Sequence, residues 1–175
     1  RDIAVAATAG FSKMHIPTDQ LAKTLDILAR AGDLGKFELK DMAQYFDMLT
    51  AKAADLGIKG QAGMAQLAAA AQVARIGTGD ASQAATNLSN WLDKLNASIT
   101  YKTFEKVGAD LDALKEKARA SGDFIGSMLQ QIKDLTHGGN EAEISALFAD
   151  VQAGGFVRLA VRELEKYTVL AGKAA

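Results

Sequence analysis

From Leu39 to Gly57 an apolar side chain recurs every third or fourth residue: Leu39, Met42, Ala43, Phe46, Leu49, Ala53 and Leu56. That spacing draws one continuous stripe along a helix of 3.6 residues per turn, and it cannot be laid on the two-residue alternation of a strand. Gly57 ends it. One proline in 175 residues, with abundant Ala, Leu, Lys and Gln, carries the same reading through the rest of the chain. The expected class is all-α: a multi-helix bundle of successive antiparallel helical hairpins with Gly-rich turns. Residues 1–175 are read as a single helical domain, with 1–16 as a peripheral N-terminal helix.

Other stripes follow on both sides. Thr18, between Pro17 and Asp19, is read as the N-cap of a short helix presenting Leu21, Leu25 and Leu28 and ending at Ala31-Gly32. Gln61 to Ile76 has alanine on nearly every face, so it forms a slim cylinder that neighbours can approach closely, and a central place is expected for it. Asp80 and Gln83 have capping-box spacing before Ala84, Leu88, Trp91, Leu92 and Leu95, with Trp91 as a core anchor. Thr100 to Val107 reads as irregular turns. Asp110 to Ala120 is a charged helix with Asp112–Lys115 and Glu116–Arg119 three apart, turning only Leu111, Leu114 and Ala118 inward. Beyond Ser121-Gly122, Phe124, Ile125, Met128, Leu129, Ile132 and Leu135 form a stripe that stops at His137-Gly138-Gly139. Asn140 with Glu143 then caps a helix burying Ile144, Leu147, Phe148 and Val151. Gly154-Gly155 marks a break before a last helix from Phe156 to Leu170.

Charge removes several function classes. Twenty basic residues stand against 21 acidic ones, so the basic excess of a nucleic-acid binder is missing, and no sequence-specific nucleic acid binding is expected. No cysteine is present, which removes disulfides and thiolate metal sites. The uncharged runs, Ile3 to Ser12 and Gln61 to Ala74, fall short of the ~20 apolar residues that span a bilayer. The chain starts Arg1-Asp2 without a methionine or a basic-then-apolar leader, and so reads as a piece of a longer protein.

Candidate chemistry is sparse. Gly57, Gly60 and Gly63, and the run from Gly32 to Lys36, could in principle wrap a phosphate, but each follows a helix and neither has the Gly-Lys-Ser/Thr ending of a phosphate loop. Helix–helix turns are the better reading. His15 and His137 lie far apart in sequence beside helix ends and make no metal-ligand spacing. Glu141 and Glu143 suit the start of a helix through its dipole. No serine sits in a nucleophile elbow. No catalytic, cofactor-binding or metal residue is therefore assigned, and no enzymatic activity is expected. Tyr45 and Met48 lie off the main stripe and are candidates for a helix–helix or intersubunit contact.

One resemblance adds to this. Met42, Ala43, Tyr45, Phe46, Leu49, Thr50 and Ala51, followed by Leu56, Gly57 and Gly60 and then the alanine-rich Leu67 to Gln72, resemble the helical region of bacteriophage tail tape measure proteins. The similarity extends from about Ile16 to Tyr167. It includes ARAGDLG from Ala29, GDASQAATNLSNWLDKL from Gly79 and LFADVQA from Leu147. Asp47 stands where such proteins often have proline, and Ala149 where they often have glycine.

The resemblance implies a structural protein of the phage or prophage virion that occupies the tail tube lumen, sets tail length during assembly in the host cytoplasm, and is released during DNA ejection. The partners it implies are the tail tube protein, tail assembly chaperones, sister copies and the host envelope at ejection. Two other readings stand beside it: a membrane-active helical segment forming a conduit through the envelope, and an unrelated helical adaptor domain.

Overall fold

A computed structural model of the chain describes residues 10–174. Ten α-helices and one 3-10 turn make up the described residues, and no strand occurs among them. In order the helices are α1 (Leu21–Asp33), α2 (Leu39–Asp55), α3 (Gly60–Ile76), α4 (Ala81–Lys94), α5 (Ser98–Lys106), α6 (Leu111–Ala120), α7 (Phe124–Leu135), α8 (Glu141–Leu147), α9 (Val151–Arg162) and α10 (Leu164–Ala174). The architecture is an all-α helical bundle.

Helix α3 runs through its middle. Every residue from Gly63 to Ala74 is buried, on all faces of the helix. Alanine makes this possible: a side chain of one carbon keeps the helix narrow, so several neighbours pack on it at once. Those neighbours are α1, α2, α4, α7, α9 and α10. The most extensive helix pairing, α4 with α9, joins distant parts of the chain, and α1–α3 and α2–α4 skip a helix. Packing thus follows the central helix more than the order of chain neighbours. A single cluster of buried apolar side chains runs from Phe11 to Leu170. Within it Trp91 stacks on Phe156 with ring centroids 5.1 Å apart, and Phe104 meets Phe148 edge-on at 5.7 Å.

The α2 stripe packs as its spacing requires: Met42, Phe46, Leu49, Ala53 and Leu56 are fully buried, while Leu39 and Ala43 sit at its edge. Several expectations need correction. Residues 1–9 lie outside the described residues, and residues 10–15 form turns instead of a peripheral helix, with Phe11 and Met14 in the core. Thr18 opens a 3-10 turn, Thr18–Gln20, and does not cap α1, whose buried residues are Thr24, Ile27, Leu28 and Ala31. Thr100 to Val107 is no set of irregular turns, since Ser98–Lys106 is a helix. Its weak local propensity is overridden by burial of Thr100 and Phe104 and by the Thr103 hydroxyl donating to Leu147 O at 2.8 Å.

The break expected at Gly154-Gly155 lies elsewhere. Asp150 caps α9 by accepting from Ala153 N at 2.8 Å, so the helix starts before the glycine pair and runs through it, and the chain breaks at Glu163. Gly154 serves packing: a Cβ there would lie 2.7 Å from Phe148 O. Val151, expected in the core, is the first residue of α9 and is 81% exposed.

Candidate functional site: a buried helix and the cations that grip helix ends

An alanine helix packs closely but has little to hold it in register. Two glutamines on α3 supply that hold. Gln72 is 3% exposed. Its Oε1 accepts from Phe37 N at 2.9 Å, and its Nε2 donates to Ala31 O at 2.9 Å and to Phe37 O at 2.5 Å. One amide therefore ties α3 to the end of α1 and to the segment leading into α2. Gly35 makes room for it, because a Cβ there would fall 2.0 Å from Gln72 Oε1. Six residues earlier, Gln66 donates to Gly122 O at 3.1 Å and accepts from Ile125 N at 3.4 Å, which ties α3 to the α6–α7 turn. In sequence these residues only interrupt an apolar run. Their role needed the folded positions of two distant turns.

Helix α6 works differently. Its face carries two cations four residues apart, each on the C-terminal carbonyl of another helix. Lys115, 3% exposed, donates through Nζ to Leu95 O at 2.9 Å, Asn96 Oδ1 at 3.0 Å and the Tyr101 hydroxyl at 2.5 Å. Leu95 is the C-cap of α4. Arg119 donates through Nε to Leu56 O at 3.0 Å, the C-cap of α2. The last carbonyls of a helix lack intrahelical donors and carry the negative end of its dipole, so a cation there satisfies both. Lys115 is the inward residue that the reading of Leu111, Leu114 and Ala118 omitted. Its expected partner Asp112 stands 3.8 Å away, while Glu116 and Arg119 meet at 2.8 Å.

Burial shapes the protonation of this cluster. Desolvation lowers the Lys115 pKa from its usual value, against the pull of Asp112. Tyr101, which donates to Asp112 Oδ1 at 2.6 Å, is pushed up to about 12, by burial first and by Asp112 second. Elsewhere in the core, the buried Tyr167 of α10 donates to Asp123 Oδ1 at 2.8 Å, and the same carboxylate oxygen caps α7 through Gly126 N at 3.0 Å. Burial, then Asp123, hold Tyr167 well above the ordinary tyrosine range. These contacts hold helices to one another.

The weighed candidates sit apart. His15 and His137 are the two non-glycine residues with positive φ among the described residues, at 55° and 53°. Both are exposed; His137 Nδ1 lies 2.8 Å from Glu143 Oε1, and Glu143 N is capped by Asn140 Oδ1 at 3.0 Å. Glu141 lies 3.9 Å from Arg162. Gly57, with φ of 81°, lies in the α2–α3 connection, Gly60, with φ of 73°, is the first residue of α3, and Gly63 is inside α3. Tyr45 packs on Phe37, centroids 6.2 Å apart, and Met48 Sδ accepts from Ser89 Oγ at 3.7 Å, so both face partners within the chain. No group of three or more His, Asp or Glu placed to hold a metal occurs among the described residues, nor is any described helix long and apolar enough to cross a membrane.

The chain is 40% identical over 102 residues to a probable tape measure protein of Burkholderia phage BcepMu, an alignment covering 58% of this chain and 12% of that protein. No solved structure matches it. A model of the phage-related minor tail protein family matches residues 1–149, and the chain belongs to that family.

Proposed function

We propose that this chain is a segment of a tail tape measure protein, a structural and non-enzymatic component of the phage tail that sets tail length during assembly and leaves the tail during DNA ejection. The observation that carries this reading is the 40% identity over 102 residues to a probable tape measure protein. The partners that follow are the tail tube protein, assembly chaperones and sister copies, with the tail lumen as its place in the virion.

A helical chain measures length because each residue adds ~1.5 Å along the axis. Drawn out as one helix, 175 residues would reach about 260 Å, whereas a compact domain of that size has a radius of gyration of about 16 Å. The bundle therefore opens or repacks inside the tail. Alanine-rich interfaces and the lack of cysteine crosslinks keep such opening accessible.

Two experiments test this. In-frame deletions within this region of the parent gene should shorten tails by about 1.5 Å per residue removed, measured by electron microscopy. Tails of unchanged length would overturn the ruler. Asn90 of α4 hydrogen-bonds to Gln152 of α9, so Asn90→Cys with Gln152→Cys offers a crosslink across the most extensive helix pair. Oxidised particles should lose tail assembly or ejection and regain it on reduction. Infectious oxidised particles with normal tails would exclude the opening.

A further inference from the structure

An open groove of about 440 Å³ lies where the end of α1, the end of α3 and α10 converge. Its lining combines Leu34, Ile76 and Leu170 with three cations, Lys36, Arg75 and Lys166, and includes no carboxylate. Leu34 and Ile76 are 39% and 45% exposed, large apolar side chains left facing water. Among the described residues, no carboxylate comes within 4.0 Å of any of the three cations. The chain as a whole carries a formal charge of -1, so this concentration of basic groups is a local segregation and not a consequence of composition.

The polar groups of the floor are already engaged. Both ends of the Gln72 amide are bound to backbone, and the Thr78 hydroxyl donates to Ala74 O at 3.2 Å and Asp80 O at 3.1 Å. Arg75 donates through Nη1 to Thr78 O at 2.8 Å, which fixes its guanidinium at the rim. The groove can thus offer apolar contact below and positive charge above, with no aromatic ring on which a base could stack. Thr78 also lines an adjoining groove of about 200 Å³ that holds Arg158 and Arg162 opposite one acid, Glu141, so the basic track continues past the first groove.

We propose that this groove docks an acidic amphipathic helix of a partner protein, its apolar ridge on Leu34 and Ile76 and its carboxylates against Lys36, Arg75 and Lys166. Charge complementarity selects an acidic partner, and the apolar floor selects a helix face over an extended polyanion. The surface stands independently of the tape measure reading.

The test uses the full chain and a synthetic three-turn helical peptide carrying leucines on one face and glutamates along its flanks. Glutamine-for-glutamate and lysine-for-glutamate versions serve as controls. Only the glutamate peptide should bind by calorimetry, shift the Leu34 and Ile76 methyl resonances, and weaken as salt rises. Lys36→Glu with Lys166→Glu, two exposed positions, should lower its affinity at least about fivefold while circular dichroism and melting stay unchanged, and should admit the lysine peptide instead. Ile76→Ser should weaken every peptide that binds. Absence of binding, equal binding of the glutamine peptide, tighter binding of a single-stranded oligonucleotide, or a self-association that the charge reversal abolishes would each overturn the proposal.

Discussion

Helices α3 and α6 both lack large apolar side chains over most of their length, yet one lies at the centre of the bundle and the other at its side. In α3 the small residues are alanines, and twelve consecutive positions are buried. In α6 only Leu111, Lys115 and Ala118 are buried, and the exposed positions include the charged Asp112, Glu116, Lys117 and Arg119. The first organises the fold by being thin, and its two buried glutamines restore the register that alanine cannot specify. The second organises it by placing Lys115 and Arg119 on the open ends of α4 and α2. A small helix can therefore be a hub through shape or a clip through charge, and the polar side chains decide which.

The largest expected effect falls on the hub. Gln72→Leu keeps the volume but strands Phe37 N and Phe37 O in the core and leaves Ala31 O with only the Leu34 N–H as donor; a loss of about 3 kcal/mol is expected in urea unfolding. A loss below about 1 kcal/mol would mean that packing alone holds α3. On the clip, Lys115→Met frees one helix-end carbonyl and removes a desolvated charge, so a smaller loss of about 1–2 kcal/mol is expected. Glu116→Gln, which touches only the exposed side of the Arg119 pair, should stay within about 0.5 kcal/mol. If it equals Lys115→Met, surface pairing and not helix-end gripping is the role of α6.

A separate effect is a pH dependence. The folded Tyr101 value lies at about 12, above the ordinary 10.0, so its contribution is complete below pH 10 and is lost as pH rises toward 12. Lys115 acts in the opposite sense: its folded value is depressed, the unfolded chain holds the proton more readily, and its contribution rises as pH approaches 10.5. Tyr101→Phe should remove this share of the alkaline loss, leaving that of Tyr167, and should lower stability below pH 10 through the lost hydroxyl bonds to Asp112 and Lys115. A variant with the same alkaline profile would show that the hydroxyl does not couple to the fold.

Much of the bundle was readable beforehand, and the misses share a cause. Asp80, Asp110, Asp123, Asn140 and Asp150 all accept a bond from the backbone N–H three residues on. Asp80 and Asn140 were recognisable from spacing alone, because that bond is local. Even so, the Gln83 side chain turns to Asn87 at 2.7 Å instead of closing a reciprocal box. Asp150 is masked in sequence by the glycine pair behind it, which has the composition of a break, whereas Gly154 is small to admit Phe148 O. The basic groove is not legible in sequence for a related reason: Lys36, Arg75 and Lys166 come from three separate segments, and no run of charge announces them.

Periodicity by itself determined that this chain is helical, where most apolar stripes face, and that the alanine-rich segment belongs inside. Those properties depend on residues three or four apart. Only the tertiary structure decided which helices meet, where α9 and α10 divide, that Gln72 and Gln66 bind distant turns, and that Lys115 points inward. Each of these depends on a backbone group or a side chain brought in from elsewhere in the chain, and such a long-range hydrogen bond has no counterpart in local spacing until the chain has closed around it.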